Sequence, residues 1–228
     1  RVVILNKADL ADPTQNQKWK EWFLSQGIYA CLMNSKKSTG MKEVGEIIQK
    51  ACAQKFERDR KRGILRRPVR AMIVGIPNVG KSTFINSYAK KACAKTGNKP
   101  GVTKGKQWIK LSKDVELLDT PGILWPKFED QRVGLYLALI GSIKDEILNI
   151  TDLSMELIQF LRKSYPETLQ DELAVCGDEA KEHELLEAFA KKRHCLGKGG
   201  TTDVEKGAIL LMDDYRNGRL GRISLEHA

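Results

Sequence analysis

The eight residues Gly75-Ile76-Pro77-Asn78-Val79-Gly80-Lys81-Ser82 fit the pattern G-x-x-x-x-G-K-[ST], and their flanks constrain the fold more than the match itself. The apolar run Ala71-Met72-Ile73-Val74 precedes them and an amphipathic stretch from Thr83 to Lys91 follows, so the loop falls between a predicted strand and a predicted helix. Glycines let the backbone curl until successive N–H groups face one centre, and the helix start adds its own unpaired amides and positive dipole end. Lys81 then supplies a mobile charge for the outer phosphates and the Ser82 hydroxyl a ligand for Mg²⁺. Asn78, Val79, Gly80, Lys81, Ser82 and Thr83 are the expected phosphate-side contacts, and a nucleoside triphosphate is the expected ligand.

Two further segments narrow the base and the reaction. Val115-Glu116-Leu117-Leu118 reads as a strand running into Asp119-Thr120-Pro121-Gly122, a D-x-x-G sequence. It places the Asp119 carboxylate near the Mg²⁺ shell and the Gly122 N–H near the γ-phosphate. Upstream, Val2-Val3-Ile4-Leu5 reads as a buried strand leading into Asn6-Lys7-Ala8-Asp9, an N-K-x-D sequence. The Asp9 carboxylate can accept both N1–H and N2–H₂ of guanine, whereas adenine leaves that acceptor unmatched. Each motif is weak alone, but three together, each after an apolar strand, point to guanine nucleotide binding.

Their order is unusual, with N-K-A-D first, the phosphate loop second and D-T-P-G last. Ras-like GTPases carry the phosphate loop first, so this order reads as a circular permutation, in which the strands pair as before while the chain exit moves. The expected fold is α/β: a circularly permuted P-loop GTPase domain over 1–140, with a mostly parallel sheet and flanking helices, then a small all-α domain over 141–228.

The passages G-I-P-N-V-G-K-S, A-K-T-G-N-K-P-G-V-T-K-G-K-Q-W-I-K and L-L-D-T-P-G-I-L-W-P-K-F-E-D, followed by a mostly helical tail, extend the match. With them the chain resembles the ribosome biogenesis GTPase A (RbgA or YlqF) family of circularly permuted TRAFAC-class GTPases. The resemblance implies a bacterial GTPase that hydrolyses GTP to GDP and phosphate during late assembly of the large (50S) ribosomal subunit. Its implied partners are the precursor of that subunit and its rRNA. Carried over by position, Asn6, Lys7 and Asp9 are the guanine-specificity motif. Ser35-Lys36-Lys37 stands where an S-A-K motif meets the base, with Lys36 in place of the usual small residue, so that the Ser35 backbone is the expected contact. Thr103, within Pro100-Gly101-Val102-Thr103, is the implied first-switch threonine on Mg²⁺ and the γ-phosphate, with Thr96 as a second candidate. Lys81, Thr103 and Gly122 form the implied catalytic set, and Ser82, Thr103 and Asp119 the implied Mg²⁺ set. Asn78 is a candidate K⁺ ligand.

Ile123 follows Gly122 where Ras-like enzymes place a water-orienting glutamine. An alkyl group can neither donate to nor accept from an attacking water, so slow intrinsic hydrolysis is expected. The resemblance implies a histidine upstream of the N-K-x-D segment, in chain preceding Arg1, to supply the missing polar group; His183, His194 and His227 lie far downstream.

Composition agrees. No apolar run reaches the ~18 residues of a membrane span, and no signal peptide opens the chain, so a cytoplasmic protein without membrane association is expected, acting as a monomer. The five cysteines, Cys31, Cys52, Cys93, Cys176 and Cys195, show no metal-ligand spacing and read as free thiols. A net charge of +10 points to a polyanionic partner. Nine Lys/Arg against two acids lie between Lys50 and Arg70, and eight Lys with no acid between Lys90 and Lys113, both runs flanking nucleotide-sensitive elements. An rRNA contact that reads the nucleotide state is one reading; a solvated basic face is the other.

Apolar stripes predict helices around Leu153, Leu157, Phe160 and Leu161 with Asp152 as cap, around Leu185, Leu186 and Phe189, and from Val204 to Tyr215. Beside them Lys191-Lys192-Arg193, Lys198, Arg216, Arg219 and Arg222 are candidate RNA contacts. Trp125, Pro126 and Phe128, just past the second switch, read either as packing or as an exposed contact. The competing functional readings are a nucleotide-stabilised RNA-binding scaffold without significant hydrolysis and a GTPase acting on another RNA.

Overall fold

The computed structural model describes the chain except residues 65–66, 95–104, 106, 111–114, 126 and 174–179, and the side chains of 107 and 170–173. Thr96, Pro100, Thr103, Pro126 and Cys176 therefore lie outside the described residues. Two compact units emerge, Arg1–Pro126 with Ser224–Ala228, and Lys127–Ile223. The division comes earlier than residue 140 because α5 (Gln131–Leu139) packs on α6 (Ile150–Ser164) and so belongs to the second unit.

In the first unit β1 (Val2–Leu5) pairs in parallel with β2 (Tyr29–Leu32), Val2 opposite Tyr29. The crossover is α1 (Pro13–Ser25), which starts where a helix should: Pro13 occupies the first turn and the Asp12 carboxylate accepts from Thr14 N at 2.7 Å. Next come α2 (Met41–Ala51), α3 (Ala53–Lys61) and β3 (Val69–Ile73). The phosphate-loop residues then lead into α4 (Lys81–Ala89). A second ladder has the order β3-β5-β4, with β5 (Val115–Asp119) parallel to β3 and β4 (Gln107–Lys110) antiparallel to β5. Its register sets Ile73 beside Asp119, so the residue entering the phosphate loop and the D-x-x-G aspartate leave the sheet at the same level. Cys31, Met33, Val44, Ile47, Phe84, Ile85, Val115 and Leu117 form the core beneath, drawn from β2, α2, α4, β5 and the residues between them.

The second unit is helical. Besides α5 and α6 it contains α7 (Pro166–Leu173), α8 (Glu182–Lys192) and α9 (Val204–Arg216). Leu153, Leu157 and Leu161 on α6, Leu186 and Phe189 on α8, and Leu211 on α9 are buried as their spacing predicts. The cap of α6 is Asn149 rather than Asp152: the Asn149 side chain accepts from Thr151 N at 3.1 Å, and Asp152 falls inside the first turn, where its charge suits the helix dipole.

Three of the expected RNA contacts are engaged within the unit itself. Arg193 and Arg219 both bind the buried Asp214 carboxylate, and Arg219 also reaches Asp213. Arg216 donates to the Ala138 and Leu139 carbonyls at the end of α5 and, in bidentate fashion, to Asp145 at 2.7 and 2.9 Å. These arginines satisfy a buried carboxylate and a helix C-terminus, groups that would otherwise be costly to desolvate. Lys198 and Arg222 are exposed, as is Lys191, which pairs with Glu187. Trp125 is 66 % exposed, and Phe128 lies against Gly134 of α5.

Candidate nucleotide site

The N-K-x-D loop is pinned before any side chain is considered. Asn6 N donates to Ile4 O at 3.1 Å, Ala8 N to Met33 O at 3.0 Å and Leu10 N to Lys7 O at 2.9 Å, which hold Lys7 at φ 57°. A left-handed lysine costs about 1–3 kcal/mol and persists only where its surroundings over-determine it, as here. Asn16 on α1 adds a bond from its amide to Ala8 O at 3.0 Å. Asp9, half-buried, makes no hydrogen bond or ion pair with any described residue.

Asn6 is the joint of the site. Its Nδ2 donates to Val79 O at 2.8 Å, 73 positions away in sequence, while its Oδ1 accepts from Ser35 N at 3.1 Å and Ser35 Oγ at 2.8 Å. Ser35 is 3 % exposed, and a hydroxyl so buried needs a partner, which Asn6 supplies. Lys36 is exposed beside it. The loop bearing both is shaped by an Asn34–Thr39 bridge and by Lys37 N donating to Asn34 Oδ1 at 3.0 Å. Ser87 on α4 fixes it from the other side, donating to Ser35 O at 2.5 Å. Asn16, Asn34 and Ser87 were not legible as site residues, since a short polar side chain near a loop carries no sign of which carbonyl or amide it will meet.

Gly80 opens α4 at φ +92°, and any side chain there would run into Asn6 Nδ2. A single position thus requires glycine both for its backbone and for the approach of the base loop. Asn78 is also left-handed, at φ 61°, a conformation asparagine tolerates better than most residues. Val79, Ser82 and Thr83 are half-buried around the helix start. Lys81 folds its ammonium back on the loop, donating to Gly75 O at 2.8 Å and Ile76 O at 2.7 Å. Burial holds its pKa below the ordinary lysine range, and the Asp119 charge opposes that shift. The second-switch glycine completes the cradle: a Cβ on Gly122 would sit 2.8 Å from Pro77 Cα and 3.0 Å from Lys81 Nζ. Thr120 anchors the turn through its hydroxyl, which donates to Ile73 O at 2.7 Å.

The donor set fits a hard divalent cation. Ser82 lies in the first turn of α4, and the fully buried Asp119 ends β5 beside the strand that feeds the loop, so the two candidate ligands among the described residues are both oxygen donors. Ile123 projects 73 % exposed just beyond.

An asparagine that ties the N-K-x-D loop to the phosphate loop puts base recognition and phosphate binding on one frame, and with this fold it defines a P-loop GTPase. The family model described as "50S ribosome-binding GTPase" matches residues 70–191. Ribosome biogenesis GTPase A of Bacillus cereus is 47 % identical over 226 residues, 99 % of this chain and 76 % of that protein. The protein of that name in Priestia megaterium is 45 % identical over 99 % of this chain and 79 % of its own length. Among solved structures, GDP-bound YlqF superposes with a TM-score of 0.64 at 28 % identity, covering 99 % of this chain and 82 % of that one. GNP-bound YlqF from T. maritima gives 0.61 at 29 %, covering 99 % and 81 %. The chain belongs to the ribosome biogenesis GTPase A family.

Proposed function

We propose that this GTPase serves late maturation of the large ribosomal subunit, binding the precursor particle through its rRNA and hydrolysing GTP faster when bound there. The observation that carries the reading is the Asn6 joint, which makes base, phosphate and switch elements one unit: Asn6 holds Val79, and Gly122 lies against Pro77 and Lys81 of the same loop. Asp9 selects guanine, with Asn6, Lys7, Ser35 and Lys36 around the base. The loop amides from Asn78 to Thr83 bind the phosphates, and Lys81 exchanges the Gly75 and Ile76 carbonyls for phosphate oxygens. Mg²⁺, held by Ser82, Thr103 and Asp119, would neutralise charge on the outer phosphates. Gly122 presents its N–H where the γ-phosphate would lie, so the second switch registers whether that group is there.

Ile123 supplies no hydrogen bond to water, which fits slow hydrolysis in the free protein and dependence on a group ordered by the particle. Asn78 would offer the oxygen for K⁺ if the monovalent ion takes the place of an arginine finger. The protein is expected to act as a monomer in the cytoplasm; no helix among the described residues is long and apolar enough to cross a membrane. Co-sedimentation with large ribosomal subunits, comparing a non-hydrolysable GTP analogue with GDP, tests the reading. Stronger association with the analogue is expected, and equal association in both states would leave a scaffold indifferent to nucleotide.

A further inference from the structure

Clusters of cations differ in whether a carboxylate claims them. In the helical unit Lys191, Arg193, Lys206, Arg216 and Arg219 are each within ion-pair distance of a carboxylate. On α3 and the residues after it, Arg58, Arg60, Lys61, Arg62 and Arg67 are exposed, and none has a carboxylate partner among the described residues. The inward face of the helix is Phe56 and the buried Asp59, so Arg58, Arg60, Lys61 and Arg62 point outward on less than two turns.

Resting on the reading that this GTPase binds rRNA, we propose that the outer face of α3, together with Arg62 and Arg67, is its principal contact with the rRNA phosphate backbone. A cation or two at a helix C-terminus complements the dipole, but Arg58 and Arg62, four apart, repel each other; the two acids of the helix, exposed Glu57 and buried Asp59, are outnumbered and form no ion pair with them among the described residues. Such a cluster suits a partner that brings its own negative charge. Four of the five side chains are arginine, whose planar fork matches phosphate geometry, where lysine would serve as a bare point charge. Arg70, the next cation, is exposed but already has partners, pairing with Glu116 at 3.0 Å and stacking on Trp108. A lipid surface fits poorly, because an interfacial helix needs an exposed apolar stripe and Phe56, the large apolar residue of α3, is half-buried.

The test is binding of the protein to purified large ribosomal subunits across a series of KCl concentrations, for wild type, for R58Q/R60Q/R62Q and for K191Q/K198Q/R222Q. Each phosphate contact contributes about 0.7–0.9 to the slope of log K against log salt, so the α3 variant should lose about 2–3 units of slope and bind more weakly at every salt concentration. The helical-unit variant should lose less, and both should bind mant-GDP like wild type, which reports an intact fold. An α3 variant with the wild-type slope, or a helical-unit variant that loses as much, overturns the proposal while leaving ribosome binding intact. A wild-type protein that does not bind the subunit overturns the proposed function along with it. Arginine-dependent capture by phosphatidylserine vesicles without any effect on subunit binding would assign the surface to lipid and overturn it likewise.

Discussion

Asn6 and Ser35 are joined twice, by the Ser35 backbone N–H at 3.1 Å and by its hydroxyl at 2.8 Å, both given to one amide oxygen. The other end of the same amide holds Val79 in the phosphate loop. One short side chain therefore sets the distance between the N-K-x-D loop, the Ser35 loop and the phosphate loop.

Asn6→Ala removes all three bonds and strands the Ser35 hydroxyl and the Val79 carbonyl. Each buried group left unmatched costs about 1–3 kcal/mol, so both thermal stability and nucleotide affinity should fall. Mant-GDP titration should show at least a tenfold loss, and Asn6→Asp should not rescue it, because a carboxylate facing Val79 O offers no donor.

Asp9→Asn tests base selection separately from loop architecture, since Asp9 makes no hydrogen bond or ion pair with any described residue. Exchange of one carboxylate oxygen for an amide donor should weaken GDP binding and favour xanthosine diphosphate, which presents a carbonyl where guanine has its amino group. Competition titration of the two nucleotides reads the switch, while the melting temperature without nucleotide should hardly move.

Gly122→Ala places a methyl group against Pro77 and the Lys81 ammonium. The second switch must then retreat from the phosphate loop. Affinity for a GTP analogue should fall more than affinity for GDP, and single-turnover hydrolysis should drop by an order of magnitude or more.

Lys81 has a sign that can be checked. Burial lowers its folded-state pKa, with Asp119 opposing, so over the alkaline range between the folded and unfolded values the unfolded chain binds more protons. Stability of the nucleotide-free protein should gain from this group as pH rises through that window and lose the gain as pH falls through the folded pKa. Lys81→Met should flatten that part of a melting-temperature profile. GDP affinity should run the opposite way in wild type, weakening as Lys81 loses its proton.

How much of this was legible in the chain depends on the kind of contact. The placement of Gly75 to Ser82, Asp119 to Gly122 and Asn6 to Asp9 at strand ends could be read because it is encoded by backbone need and local spacing, and the strands before them are short apolar runs. The α6, α8 and α9 stripes were legible for the same reason, since burial follows helical period. What could not be read was pairing across distance. Nothing local to Arg193, Arg216 or Arg219 says that Asp214, Asp145 and two carbonyls will claim them, so they resembled the unpaired cations of α3. The Asn6–Val79 bond spans 73 positions and depends on the fold bringing two loop ends together. The place of α5 in the helical unit was hidden likewise, being set by packing on α6 rather than by its own sequence.

The most direct measurement is single-turnover GTP hydrolysis with and without purified large ribosomal subunits, alongside mant-GTP and mant-GDP binding. The account predicts guanine-specific binding, slow turnover by the free protein and acceleration of an order of magnitude or more by the subunit. Specific binding with a rate that the subunit leaves unchanged would contradict it.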